Sequence, residues 1–333
     1  MKKFLSIISI IILVVVAGCS SSESSSGGSE GDATKEIDFP TKPLELIIPY
    51  SAGGGTDSVG RSIATAAEKH LGDDASIGVV NRTGGGGAVG MTEGSNANND
   101  GYTMTMLTVE VTMLPHLELT ETTYEDFTPI AEFNFDPSSI VVAADAPYDT
   151  IEEFIEYAKE NPGEIRIGNG GTGATGHLSA LAMAQATETE YNHVSFEGSA
   201  PAATALLGGH IEAASVQPPE VLPQVEAGEL KVLAIMADDR LDNLPDTPTF
   251  QEVGYDVPEI GVWRGVTVPK DTPEEVVSIL SDAFGKAAKE EEFKTFMENN
   301  GLGIVSRDAQ EFGKLMAESH EMYGELISGL DLK

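Results

Sequence analysis

The chemistry this sequence can offer is concentrated in glycine-rich segments rather than in nucleophiles or metal ligands. Gly85, Gly87 and Gly90 follow an apolar run ending near Asn81, and Gly171, Gly173 and Gly176 follow one ending near Asn169; both triplets have the spacing G-x-G-x-x-G. On pattern alone either could be a dinucleotide-binding turn. No Gly-Lys-Ser/Thr occurs, so a phosphate-cradling P-loop is absent. What such segments share is physics: glycines after a strand and before a helix let backbone N–H groups converge, and a helix start adds about half a positive charge. The result is an anion site that needs no lysine or arginine. A third segment of this kind, Ser51-Ala52-Gly53-Gly54-Gly55, leads into Thr56 and Asp57.

Catalytic constellations are harder to find. The six histidines, His70, His116, His177, His193, His210 and His320, lack metal-ligand spacing. Most are expected to be surface or hydrogen-bonded structural residues. His177 differs, because it opens a helix directly after the 171–176 glycines and would face whatever they bind. Carboxylates are too abundant for any pair to signal acid-base catalysis. No metal, no cofactor and no enzyme activity is therefore expected; the alternative, an exported α/β enzyme acting on a small anionic substrate, needs a nucleophile-base pair or a cofactor that is not visible.

The N-terminus sets the compartment. Lys2 and Lys3 are followed by an apolar run over 4–16 and by Val16-Ala17-Gly18-Cys19, the order of a bacterial lipoprotein signal. The run is shorter than the ~20 apolar residues of a membrane span. Cys19 is the only cysteine, so it is the expected lipidation site, and the mature domain can hold neither a disulfide nor a thiolate metal site. Residues 20–36, rich in Ser and Gly, read as a flexible tether that holds an extracytoplasmic domain at the outer face of the cytoplasmic membrane. An exported chain meets no obvious nicotinamide pool, and an acid at the expected offset such as Glu110 arises easily by chance here, so dinucleotide binding is disfavoured.

There are 54 acidic against 19 basic residues, a net charge of −35, which argues against nucleic acid as a partner because phosphate binding relies on Lys and Arg. Adaptation to a saline habitat and simple solubility both fit that excess. An anion can be held by such a chain only where the site overrides the global field.

The elements that must position these segments alternate. Strands are expected at 44–49, 76–80, 102–107, 140–144, 165–168, 211–216 and 230–236. Val59, Ile63, Ala66, Ala67 and Leu71 recur at helical spacing, predicting a helix over 58–71 with Thr56 or Asp57 as cap and Gly72 at its end. Thr150 with Glu153 forms a capping box for a helix stopped by Asn161-Pro162-Gly163; Thr272, Pro273 and Glu275 are expected to start the helix through Ala287 in the same way. Strand-helix alternation implies parallel sheets covered on both faces, with ligands at the carboxyl ends of strands. Residues 37–333 are long enough for two cores.

A resemblance runs along nearly the whole mature chain. Pro43-Leu44-Glu45-Leu46-Ile47-Ile48-Pro49-Tyr50-Ser51-Ala52-Gly53-Gly54-Gly55-Thr56-Asp57 resembles the opening motif of the substrate-binding receptors of tripartite tricarboxylate transporters. Asn81-Arg82-Thr83-Gly84-Gly85-Gly86, Asp126-Phe127-Thr128-Pro129-Ile130-Ala131, Gly198-Ser199-Ala200-Pro201-Ala202 and Leu206-Leu207-Gly208-Gly209-His210 follow in that family's order. The resemblance implies a two-domain periplasmic-binding-protein-like α/β fold, with domain 1 at 37–137 plus 262–333, domain 2 at 138–261, and a ligand cleft between them. It further implies a receptor that captures a small organic carboxylate and delivers it to the large and small subunits of a tripartite permease.

In that family the carboxylate is gripped by the loops matching Tyr50, Ser51, Gly53, Gly54, Gly55, Thr56 and Asp57, and matching Asn169, Gly171, Thr172, Gly173, Thr175, Gly176 and His177. Thr108, Gln217 and Arg264 are further candidates for reading the ligand's far end. The sequence departs from the pattern at Ala52 and Thr83, where the family commonly has proline. Asp57 carries the wrong sign for an anion site and is better explained as a cap on its own loop. Arg264 is either a rival anion donor or a salt-bridge partner to an acidic neighbour. Glu110, if it reaches the cleft, favours an amine-bearing or protonated ligand.

Overall fold

The computed structural model describes residues 37–329 apart from Asp73 and Glu197; the expected signal, Cys19 and the tether lie outside the described residues. In chain order the elements are β1 (Leu44–Ile48), α1 (Gly55–Glu68), β2 (Ile77–Asn81), α2 (Ala88–Ser95), β3 (Thr103–Thr108), α3 (Glu110–Met113), β4 (Phe127–Pro137), β5 (Ser139–Ala143) and α4 (Ile151–Glu160). There follow β6 (Arg166–Asn169), α5 (Thr175–Thr187), β7 (Asn192–Ser195), α6 (Ser199–Leu207), β8 (Ala213–Val216), α7 (Leu222–Glu226), β9 (Leu230–Ile235) and β10 (Gly261–Pro269). The chain ends in α8 (Glu274–Ala287), α9 (Glu291–Asn299), β11 (Ile304–Arg307) and α10 (Ala309–Ser328).

Two sheets result, with strand orders β11-β4-β10-β3-β1-β2 and β7-β6-β8-β5-β9. Each has a parallel half, β2-β1-β3 in one and β7-β6-β8 in the other, and these halves carry the glycine segments at their carboxyl ends. The long strands β4 and β10 pair antiparallel through their whole length. β4 runs straight into β5 of the second sheet, and β10 receives the chain on its return. Helices cover both sheets as the alternation predicts.

The cores follow from the apolar spacing. Val59, Ile63, Ala66 and Ala67 of α1 are buried against Leu44, Leu46 and Ile48 of β1, in a cluster that also takes Leu280 and Phe284 of α8. Each fully buried Val or Ile contributes about 1.5–3 kcal/mol, so this packing fixes where α1 begins relative to β1.

Local signals hold unevenly. Thr150 accepts from the Glu153 amide at 3.3 Å, as the expected cap does, but Glu153 accepts from the Asp149 amide at 2.8 Å, one residue before the cap, so the reciprocal half of the capping box is displaced. Two helix starts differ from expectation. α1 begins at Gly55 with Gly54 as N-cap, so Thr56 and Asp57 lie in its first turn instead of capping it. α8 begins after Pro273 with no side-chain cap, because the Thr272 hydroxyl turns back to the Pro269 carbonyl at 2.7 Å. β7, β11 and α10 were not legible as elements.

Candidate functional site

The first glycine loop, residues 51–55, is exposed at the carboxyl end of β1 and delivers the chain into α1. Its geometry is held by Asp57, which is 3 % exposed. Asp57 accepts from the Gly53 amide at 2.8 Å, from Asn81 Nδ2 at 2.8 Å and from Arg61 Nε at 3.0 Å. Burial by itself would raise its pKa, but the bonds from Arg61, Gly53 and Asn81 outweigh that and pull it down to about 2. Asn81 also donates to the Tyr50 carbonyl at 2.9 Å, which ties the loop to β2. Asp57 is thus the brace of its own loop.

The second loop repeats the device with neutral groups. Gly171 donates to Asn169 Oδ1 at 3.1 Å, Thr172 shares a 2.8 Å hydroxyl contact with Ser195, and the Gly173 amide donates to His177 Nδ1 at 3.0 Å. Accepting at Nδ1 places a neutral imidazole's proton on Nε2. Burial lowers the His177 pKa, which keeps the ring neutral. Gly171 and Gly173 have φ of +140° and +77°, a region that side chains with a Cβ rarely enter. Gly176 is required for a different reason: a Cβ there would lie 2.3 Å from the Ser215 carbonyl oxygen.

These bonds change which amides can serve a ligand. The N–H groups of Gly53, Gly171 and Gly173 are spent inside their own loops. The first three N–H groups of a helix have no intrahelical acceptor. The donors left are therefore those of Ser51, Ala52 and Thr172 in the loops, together with Gly55, Thr56 and Asp57 on α1 and Thr175, Gly176 and His177 on α5.

Polar neighbours of the first helix start extend toward the second loop. Arg264, on β10, donates from Nε to Thr56 Oγ1 at 3.1 Å, from Nη1 to Asn134, and pairs through Nη1 with Asp136 at 2.5 Å. A Cβ at Gly55 would lie 3.6 Å from its Nη2, the guanidinium nitrogen with no hydrogen bond among the described residues. Glu220 lies within the field of Arg264, and the Ser199 hydroxyl partly offsets the rise that burial causes in its pKa. Ser199 in turn sits against Gly170, where a Cβ would meet its amide at 3.4 Å. Of the two alternatives for Arg264, the structure shows the salt bridge, to Asp136, and the guanidinium also bonds Thr56 in the first turn of α1.

The remaining sequence candidates are close by. Thr108 shares a 2.6 Å contact with the Tyr50 hydroxyl and pairs in register with Arg264. Gln217 is buried and donates to Ser138 Oγ at 3.2 Å. The Gly85 to Gly87 turn is a support: a Cβ at Gly87 would lie 2.9 Å from the Tyr50 hydroxyl, and one at Gly90 would lie 2.8 Å from Pro49 Cα. Sequence reasoning missed Ser199, Glu220 and Asp136. Only Ser199 had a local signal, the Gly198-Ser199-Ala200-Pro201 helix start.

A cavity of about 640 Å³ lies elsewhere, beside β11, and meets this network only at Asp136. Its arginines are already engaged, Arg240 with Glu252 and Arg307 with Glu132, so it offers an anion nothing comparable to two helix starts.

A family profile described as the tripartite tricarboxylate transporter family receptor matches residues 59–332. The chain belongs to that family. It is similar to a UPF0065 protein of the gbd 5' region of Cupriavidus necator, with 30 % identity over 300 residues covering 88 % of this chain and 89 % of the relative. In three dimensions this receptor resembles a TctC solute-binding protein from Polaromonas, with a TM-score of 0.81, 42 % identity and coverage of 88 % and 100 %. It also resembles MatC from Rhodopseudomonas palustris, solved with bound malate, at a TM-score of 0.70, 25 % identity and coverage of 87 % and 100 %. The tripartite tricarboxylate transporter receptors are solute-binding proteins, and this chain is one of them, not an enzyme.

Proposed function

We propose that this receptor captures a small organic carboxylate between two lobes, residues 37–137 plus 262–333 and residues 138–261, and delivers it to the large and small membrane subunits of a tripartite permease. The observation that carries the reading is the pair of glycine-led helices, α1 and α5, whose first-turn amides are unspent, with Arg264 bonded to Thr56 at the start of α1. Tyr50, Ser51, Gly54, Gly55, Thr56, Thr172, Thr175, Gly176 and His177 would surround the anion, with Gly53, Asp57, Asn169, Gly171 and Gly173 shaping the loops and Thr108 and Gln217 at the floor. Malate in the R. palustris relative supports a ligand of this class.

The energetics are sufficient despite the net charge. Each charge-assisted bond to an amide is worth about 1.5–3 kcal/mol. Diffuse repulsion is screened over about 8 Å at physiological ionic strength. Several local donors therefore outweigh the distant carboxylates.

Thermal denaturation against carboxylates, sugars and uncharged amides tests this reading. A rise in melting temperature confined to carboxylates is expected, because a ligand stabilises the state that binds it; a rise with sugars alone contradicts it. The tether and Cys19 are proposed to anchor the receptor by lipid at the outer face of the cytoplasmic membrane. Cys19→Ala is expected to release the protein from the membrane fraction, and unchanged acylation of that variant contradicts the anchor.

A further inference from the structure

Among the described residues two carboxylates beside the site, Glu110 and Glu220, form no ion pair, and Glu110 is the one in contact with Tyr50 and Thr108. Asp57 has Arg61, Asp136 has Arg264 and Glu132 has Arg307. Glu110, half-buried at the start of α3, receives only neutral hydroxyls: its Oε2 accepts from Tyr50 at 3.0 Å and from Thr108. No hydrogen bond reaches its Oε1 among the described residues. Each hydroxyl has one proton to give, and those two are also in contact with each other at 2.6 Å, so they cannot satisfy the roughly four acceptor positions of an ionised carboxylate.

A second buried polar group nearby is also short of a partner. The Tyr323 hydroxyl, on a residue 1 % exposed, has no hydrogen bond among the described residues, and its pKa is raised first by burial and then by the charge of Glu110. Arg264 is the register partner of Thr108, and the Thr108 hydroxyl donates to Glu110, which has no salt-bridge partner among the described residues. Both charged groups touch residues of the candidate site, Thr56 at Arg264 and Tyr50 at Glu110.

We propose that Glu110 is a specificity residue that accepts an ammonium group of the ligand, so that the receptor selects amino-carboxylic acids over the corresponding plain acids. This deepens the carboxylate reading of the same site and rests on it. The carboxylate of the ligand faces the helix starts and Arg264; its ammonium supplies the donor and the positive charge that Glu110 lacks.

Calorimetric titration at pH 7 with matched pairs, succinate against aspartate and glutarate against glutamate, tests the proposal on the wild type, Glu110→Gln and Glu110→Asp. The wild type is expected to bind the amino member of a pair more tightly by about tenfold or more, the gain of one charge-assisted contact. Glu110→Gln is expected to erase that preference while the plain acid still binds, and Glu110→Asp, which keeps the charge, to retain its direction. Equal or tighter binding of the plain acids by the wild type, or an amino preference that survives in Glu110→Gln, overturns the inference and leaves the carboxylate reading standing. Binding of neither member of either pair overturns both.

Discussion

Arg264 Nε donates to the Thr56 hydroxyl at 3.1 Å while Nη1 of the same guanidinium pairs with Asp136 at 2.5 Å. A crossing strand is thereby fastened to the first turn of α1 by a cation whose own charge is partly neutralised behind it. Arg264 is in this arrangement a buttress of the helix start as well as a donor beside it.

The pair also bears on stability. The Asp136 side chain is 3 % exposed and that of Arg264 11 %, so truncating the arginine leaves a buried carboxylate without its cation. Arg264→Ala is expected to lower unfolding free energy by about 3–5 kcal/mol, read from denaturant midpoints. A loss below about 1 kcal/mol would show that the Asn134 side chain and the Gly303 amide, which also bond Asp136, suffice.

Asp57 predicts an acid-sensitive loop. Its folded pKa, about 2, lies below the ordinary 3.8, so its contribution is present above pH ~4 and is lost as pH falls toward about 2. The shift corresponds to about 2 kcal/mol. Asp57→Asn is expected to be less stable than wild type at pH 7 and to show a clearly smaller deficit at pH 2.5, in urea titrations at the two values. An equal deficit at both would remove the carboxylate's charge from the account.

Much of this was legible because it depends on spacing. The apolar period of α1, the Thr150 cap and the glycine segments after β1 and β6 are local, and each appears within a few residues of its expected place. The bracing was not legible. That Gly53 spends its amide on Asp57, and Gly173 on His177, depends on where a loop folds back, so the donors moved to the helix turns. Asp136 and Glu220 come from distant strands and turns, and in a chain with 54 acidic residues nothing local distinguishes them.

Arg307 gives a prediction of opposite pH sign. Its Nη1 reaches both oxygens of Glu132 at 3.0 and 2.8 Å, and Glu132 is 1 % exposed. Burial raises the Glu132 pKa to about 7 even though Arg307 opposes the rise. A raised acid loses stability as pH climbs from its ordinary 4.5 through the folded value. Removing Arg307 takes away the opposing influence, so Arg307→Ala is expected to cost about 3–5 kcal/mol at pH 8 and clearly less at pH 5. A cost independent of pH would mean the arginine acts through packing.

Backbone amides at the helix starts are proposed to hold the anion. Gly54 is the position to test it, because its φ of −78° suits any residue and a Cβ there meets nothing nearer than the Ser51 carbonyl at 3.4 Å. Gly285, on α8, has open space around it and serves as a control. With the tightest carboxylate of the panel, calorimetric titration of folded Gly54→Val is predicted to show a loss of about tenfold or more, about 1.4 kcal/mol, while Gly285→Ala binds as wild type. Wild-type affinity in Gly54→Val, together with abolished binding in a folded Arg264→Lys, would contradict the claim and assign the anion to a side-chain salt bridge.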